Sequence, residues 1–158
     1  MADAPVLFVD SGIGGLPYVE EVRRYLHGGR VVYVADTAHF PYGERTGDEI
    51  RGIVVDLVER SLETFAPKLI VIACNTATVV ALEALRTRFR VPFVGVVPAV
   101  KPAALSAGGG PVTVLSTART ADAEYLSRLI ESYAGNKEVR IVAAGGLVSF
   151  VEHRLAVS

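Results

Sequence analysis

Six short runs, VLFVD (6–10), VVYVAD (31–36), KLIVIAC (68–74), PFVGVV (92–97), VTVLST (112–117) and VRIVAA (139–144), are apolar almost throughout rather than at every second residue. A strand with one wet face alternates apolar and polar residues, whereas a strand covered on both faces does not, and that condition belongs to parallel sheets flanked by helices. Longer segments with helical spacing separate the runs. Over 44–65, Ile50, Ile53, Val54, Leu57, Val58 and Leu62 fall on one side with charges between them, which predicts a crossover helix. Successive βαβ units of this kind predict an α/β fold, an open, mostly parallel sheet with helices on both faces.

The stretch PAVKPAALSAGGGP (98–111) carries three prolines and three consecutive glycines, and a fresh β-α-β series starts after it. We read it as a domain boundary, with 1–98 a first lobe and 99–158 a partial second lobe. Two strands are too few for a stable parallel sheet of their own, so the second lobe is expected to be incomplete. Apolar surface that missing elements would cover is then expected to be exposed and to invite association.

The net charge of -1, with both signs mixed along 158 residues, leaves no basic stripe to attract a phosphate backbone, so no nucleic-acid partner is expected. The opening MADAPVLFVD has no basic segment before a long apolar run, and no segment approaches the roughly 18 apolar residues of a membrane span. A soluble, cytoplasmic protein without a signal peptide is expected. One cysteine and three scattered histidines offer neither a disulfide nor metal-ligand spacing.

In open α/β sheets ligands gather at the carboxyl ends of strands. Asp10, Asp36, Cys74 and Thr117 all end predicted strands. A cysteine there is either inert core or chemistry. Asn75 and Thr76 either cap the helix predicted over 76–88 or stand at a helix start whose free N–H groups lower a thiol's pKa and receive a carboxylate. DSGIGGL (10–16) has glycines at 12, 14 and 15, which do not match G-x-G-x-x-G, and Asp10 would repel a pyrophosphate, so dinucleotide binding is disfavoured even with Asp36 near a ribose-binding position. In HFPYGER (39–45), Pro41 and Gly43 set a turn around Tyr42, and its place beyond a strand end would bring it toward Asp10 and Cys74.

Four stretches in order, FVDSGIGGL, VADTAHFPYGE, IACNTATVVALE and VPFVGVVPAVKPA, closely resemble the glutamate racemases, cofactor-independent enzymes that supply D-glutamate for peptidoglycan. The likeness runs from the first strand to the last residues, and PYG and GVVPA favour the glutamate branch over aspartate racemases. It implies that Cys74 is one of two catalytic thiols, the one that deprotonates D-glutamate, and that Asp10 lies beside it as a further catalytic residue that orients or assists it during proton transfer. It further implies that Asp10, Ser11, Pro41, Tyr42, Gly43, Asn75 and Thr76 hold the amino acid. Thr117 and Thr120 would face it from the second lobe, and Glu152 would support a histidine beside the second thiol. The implied ligands are L- and D-glutamate, with no cofactor, in a homodimer.

The chain departs from the family in two ways. The second thiol of the family lies in a Gly-Cys-Thr-His stretch with no counterpart here, and Ala144 and Ser149 stand where cysteine and proline are common. A fragment of a longer enzyme is the favoured expectation; the alternative is a short, non-catalytic amino-acid-binding or dimerising relative.

Overall fold

The computed structural model describes residues 4–155. Four parallel strands, β1 (Val6–Asp10), β2 (Val31–Ala35), β3 (Leu69–Ile72) and β4 (Phe93–Gly95), form a sheet in the order β2-β1-β3-β4. The register aligns Val6 with Val31 on one side of β1 and with Leu69 on the other. Every residue of β1 is buried.

The unbroken apolar runs have a direct explanation in the packing. Leu7, Val9, Ile70 and Ile72 point to one face, where they meet Ile50, Val54 and Val58 of α2 (Gly47–Phe65) and Ala77, Ala81 and Leu85 of α3 (Asn75–Arg88). The intervening Val6, Phe8, Val71 and Ala73 point to the other face, against Val19 of α1 (Leu16–Arg23). Both faces are covered, as an α/β fold requires.

The chain leaves β1 for β2 on one side and returns to β3 on the other. The loops after β1 and β3 therefore diverge at a point where the strand order reverses, and a crevice opens between them. Asp10 and Cys74 flank it.

The predicted 44–65 helix begins slightly later. Thr46 is its N-cap and forms a capping box with Glu49: the Glu49 N–H donates to Thr46 Oγ1 at 3.3 Å and the Thr46 N–H to Glu49 Oε2 at 2.8 Å. Residues 42–44 form a 3-10 turn instead.

After β4 the stretch read as a connection contains a helix, α4 (Val100–Ser106). Pro102 sits in its first turn, where a missing N–H costs nothing, and Val100 and Ala104 supply an apolar side that outweighs the breaker-rich composition. They pack with Leu126 and Ala134 of α6 (Glu124–Ala134). Between these lie β5 (Val112–Ser116) and the short α5 (Ala118–Ala121); β6 (Val139–Ala143) and α7 (Gly145–Leu155) follow. β5 and β6 pair in parallel as a separate two-stranded sheet. Leu115 and Val142 on its other side are exposed, as are Ile141 on the packed side and Leu147, Phe150 and Val151 of α7. No described helix is long and apolar enough to cross a membrane.

Candidate active site

Cys74 lies two residues past the end of β3 and is itself the N-cap of α3. Asn75 and Thr76 are consequently the first two residues of the helix, and neither caps it. Of the two alternatives for these residues, capping is thereby set aside. Asn75 is exposed, while Thr76 is buried and its hydroxyl reaches the second sheet's segment, 3.2 Å from Thr117 Oγ1 and 3.3 Å from Thr120 Oγ1. Thr117 caps α5, accepting from the Thr120 N–H at 3.2 Å.

Asp10, at the end of β1, is almost fully buried, yet its carboxylate is fully engaged. Oδ1 accepts from the Ser11 N–H at 2.7 Å, and Oδ2 accepts from the Gly15 N–H at 2.7 Å and the Tyr33 hydroxyl at 2.8 Å. Three donors repay the desolvation of one carboxylate and draw the 11–15 turn around it. Gly15 is required there, because a Cβ would come within 2.6 Å of Ala73 Cβ and 3.1 Å of Asp10 Oδ2. The turn in turn sets the Ser11 hydroxyl 3.5 Å from the Cys74 sulfur.

Tyr42 is buried, and its hydroxyl donates to Asp36 Oδ2 at 2.6 Å. Burial, with the Asp36 carboxylate next in importance, pushes this phenol far above the usual tyrosine range, so it stays protonated and donating. His39 Nδ1 lies 2.9 Å from Asp36 Oδ1. Asp36 was legible only as a weak ribose-binding candidate; in the fold it anchors the 39–45 loop. Tyr42→Phe is expected to leave Asp36 short of a buried donor and to lower stability by about 1–3 kcal/mol, read from the urea midpoint at unchanged m-value.

Gly43 closes the arrangement. A Cβ on it would stand 2.7 Å from Cβ and Cγ2 of Thr117, so only glycine lets the loop approach the second sheet this closely. Nearby, Arg119 Nε donates to the Arg45 carbonyl at 3.0 Å.

Asp10, Ser11, Pro41, Tyr42, Gly43, Cys74, Asn75, Thr76, Thr117 and Thr120 thus all line one cavity of about 510 Å³, large enough for a small amino acid. The side chain of Glu152 lies outside the described residues. Sequence reasoning missed Tyr33, a β2 residue whose partner lies 23 positions away and carries no local signal.

The helix-start expectation of a lowered thiol pKa is reversed. Burial pushes the Cys74 thiol up, the nearby Asp10 charge adds to this, and hydrogen bonds from Ser11 and from the Ala77 and Ser11 N–H groups only partly oppose it. These surroundings favour the protonated thiol over the thiolate. Alkylation of Cys74 by iodoacetamide is expected to accelerate only above the usual thiol range; a rate already at its plateau at neutral pH would contradict this. Because the folded state holds the proton more tightly than the unfolded state, the thiol's contribution to stability is complete below the unfolded pKa and is lost as pH rises toward the folded one.

Comparison with known proteins bears on the family and the fold. A family model for Asp/Glu/Hydantoin racemase matches residues 15–154. The glutamate racemase of Mesorhizobium japonicum is 44% identical over 153 residues, covering 96% of this chain and 58% of that protein. That of Brucella canis is 42% identical, covering 95% of this chain and 54% of its own length. Among solved structures, Escherichia coli glutamate racemase in complex with L-glutamate and the activator UDP-MurNAc-ala superposes with a TM-score of 0.90 at 38% identity, over 97% of this chain and 57% of that one. Francisella tularensis glutamate racemase in complex with D-glutamate superposes with a TM-score of 0.79 at 27% identity, again over 97% of this chain and 57% of that one. The chain therefore spans a little over half the length of these relatives. The α/β fold, the cysteine at the switch point and the match over most of its length place this chain in the Asp/Glu/Hydantoin racemase family.

Proposed function

We propose that this chain carries the first half of a glutamate racemase site, in which Cys74 exchanges a proton with the α-carbon of glutamate on one face. The observation that carries the reading is the placement of Cys74 at the α3 N-terminus beside Ser11, facing a cavity lined with donors from both sheets.

In this reading the Cα–H bond breaks, the proton passes to the Cys74 sulfur, and the electron pair moves into the carboxylate as an enediolate-like charge. A second thiol, outside these 158 residues, returns a proton to the opposite face. No cofactor spreads the charge, so donors must. Thr76, Thr117 and Thr120, with the N–H groups opening α3, are the groups we assign to the substrate's carboxylates, together with the Gly43 backbone. Before the Cα–H bond breaks, the Cys74 thiol releases its own proton to solvent, a step the substrate's ammonium favours because a nearby positive charge stabilises the thiolate, and the thiolate then takes the Cα proton. Asp10 holds the 11–15 turn, and Tyr42 acts through its backbone and ring, its hydroxyl being committed to Asp36.

We assign residues 1–98 to a first lobe and 99–158 to part of a second, a division supported by the separate four-stranded and two-stranded sheets. A homodimer and a cytoplasmic location belong to the same proposal. The test is chiral chromatography of the intact parent protein with each enantiomer of glutamate. Interconversion without added pyridoxal phosphate is expected; a strict requirement for that cofactor would overturn the reading.

A further inference from the structure

Tyr33 stands on β2, outside the motifs that carry the family likeness at the site, yet its hydroxyl crosses from one strand to the loop of the next. It lies 2.8 Å from Asp10 Oδ2 and 2.9 Å from the Gly12 carbonyl, so one proton is shared between the carboxylate and the turn that the carboxylate organises. The same spot is packed to its limit: a Cβ on Gly15 would come within 3.0 Å of that hydroxyl. Asp10 accepts from the Ser11 and Gly15 N–H groups, which belong to the 11–15 turn itself and move with it. Asp10 is held to the sheet through its own strand, β1, and Tyr33 adds a side-chain tie from the neighbouring strand, since β2 is paired with β1 along its whole length.

We propose that Tyr33 is a positioning residue for proton transfer at Cys74: it fixes the Asp10 carboxylate and the 11–15 turn to β2, and so fixes Ser11 against the sulfur. The chain of contacts is short. Tyr33 holds Asp10, Asp10 holds the Ser11 N–H at 2.7 Å, and the Ser11 hydroxyl meets Cys74 at 3.5 Å. Tyr33 itself is not among the cavity-lining residues, so it acts through Asp10 rather than on a substrate. An unfixed turn leaves the sulfur without its neighbour and opens a path for water to the thiol.

The proposal rests on the functional reading above for its kinetic arm only. Tyr33→Phe keeps the ring and deletes the hydroxyl. In α-hydrogen exchange of D-glutamate the variant is expected to lose about tenfold or more in kcat with KM changed less than about threefold, because geometry at the reacting atoms is lost and ligand contacts are kept. In a second arm, without glutamate, iodoacetamide alkylation of the single thiol is expected to speed up at least about tenfold, the factor by which loss of a hydrogen bond to a charged group shifts a local opening. Leu126→Ala, which weakens the core beneath the second sheet, controls for global loosening and is expected to leave alkylation near the wild-type rate in native buffer. If the wild-type chain shows no exchange, the functional reading fails while the alkylation arm still decides the role of Tyr33. An unchanged alkylation rate in Tyr33→Phe, an equal acceleration in Leu126→Ala, a rise in KM at constant kcat, or failure of Tyr33→Phe to fold would each overturn the proposal, the last by making the hydroxyl a general structural requirement.

Discussion

Cys74→Ala is expected to abolish measurable α-hydrogen exchange, a loss of about 10²–10⁴-fold, the range a positioned acid/base group contributes. The fold should survive, because a buried cysteine packs as a small hydrophobe and alanine occupies most of its volume. Cys74→Ser tests the chemistry separately from the shape. The hydroxyl can keep the contact to Ser11 but ionises far less readily than a thiol, so exchange should fall nearly as far. Exchange at the wild-type rate in either variant, with circular dichroism unchanged, would remove Cys74 from the mechanism.

Asp10→Asn is expected to have the second largest effect. The carboxylate now accepts from two backbone N–H groups and one hydroxyl, and it is buried. An amide offers one oxygen, and its NH₂ must face a donor. At least one charge-assisted bond becomes a repulsive contact, so stability should drop by about 2–4 kcal/mol. Because the displaced turn carries Ser11, kcat is expected to fall about 10²-fold and KM to rise far less, since the proposed ligand contacts at Thr76, Thr117 and Thr120 are untouched. A rise in KM with kcat preserved would mean that Asp10 holds ligand and does not organise the turn.

The sheet was readable because its cause is local. Leu7, Val9, Ile70 and Ile72 alternate with Val6, Phe8, Val71 and Ala73 into cores on opposite faces, and an uninterrupted apolar run is the direct trace of that arrangement. Most of the cavity residues were readable because they sit in long motifs at strand ends, while Thr117 and Thr120 lie outside those motifs, at and just after the end of another strand. What stayed hidden depends on contacts between segments far apart in the chain. Tyr33 and Asp36 are polar residues in or beside a strand until the fold brings Asp10 to one and Tyr42 to the other. Thr76 was open to two readings, a cap or a residue at a ligand-receiving helix start; its buried hydroxyl meets Thr117 and Thr120, a pairing that needs the second sheet. α4 was read as a connection because Pro102 and three glycines dominate its neighbourhood, whereas burial of Val100 and Ala104 against α6 decides it. The thiol's direction of shift was misjudged for a related reason: the helix start is visible in sequence, but the depth at which Cys74 is buried, and the charge beside it, are not.

The account's central claim is that one sulfur works on one face of glutamate. The 158-residue chain holds a single cysteine, and a group on one face cannot also deliver a proton to the other. Purified chain is incubated with D-glutamate and, separately, L-glutamate in deuterated water, with label followed by NMR and handedness by chiral chromatography. The account predicts slow incorporation of deuterium at the α-carbon of D-glutamate with retention of configuration, absent in Cys74→Ala, and no net racemisation of either enantiomer. Sustained racemisation by this chain, or exchange that persists without Cys74, would contradict it.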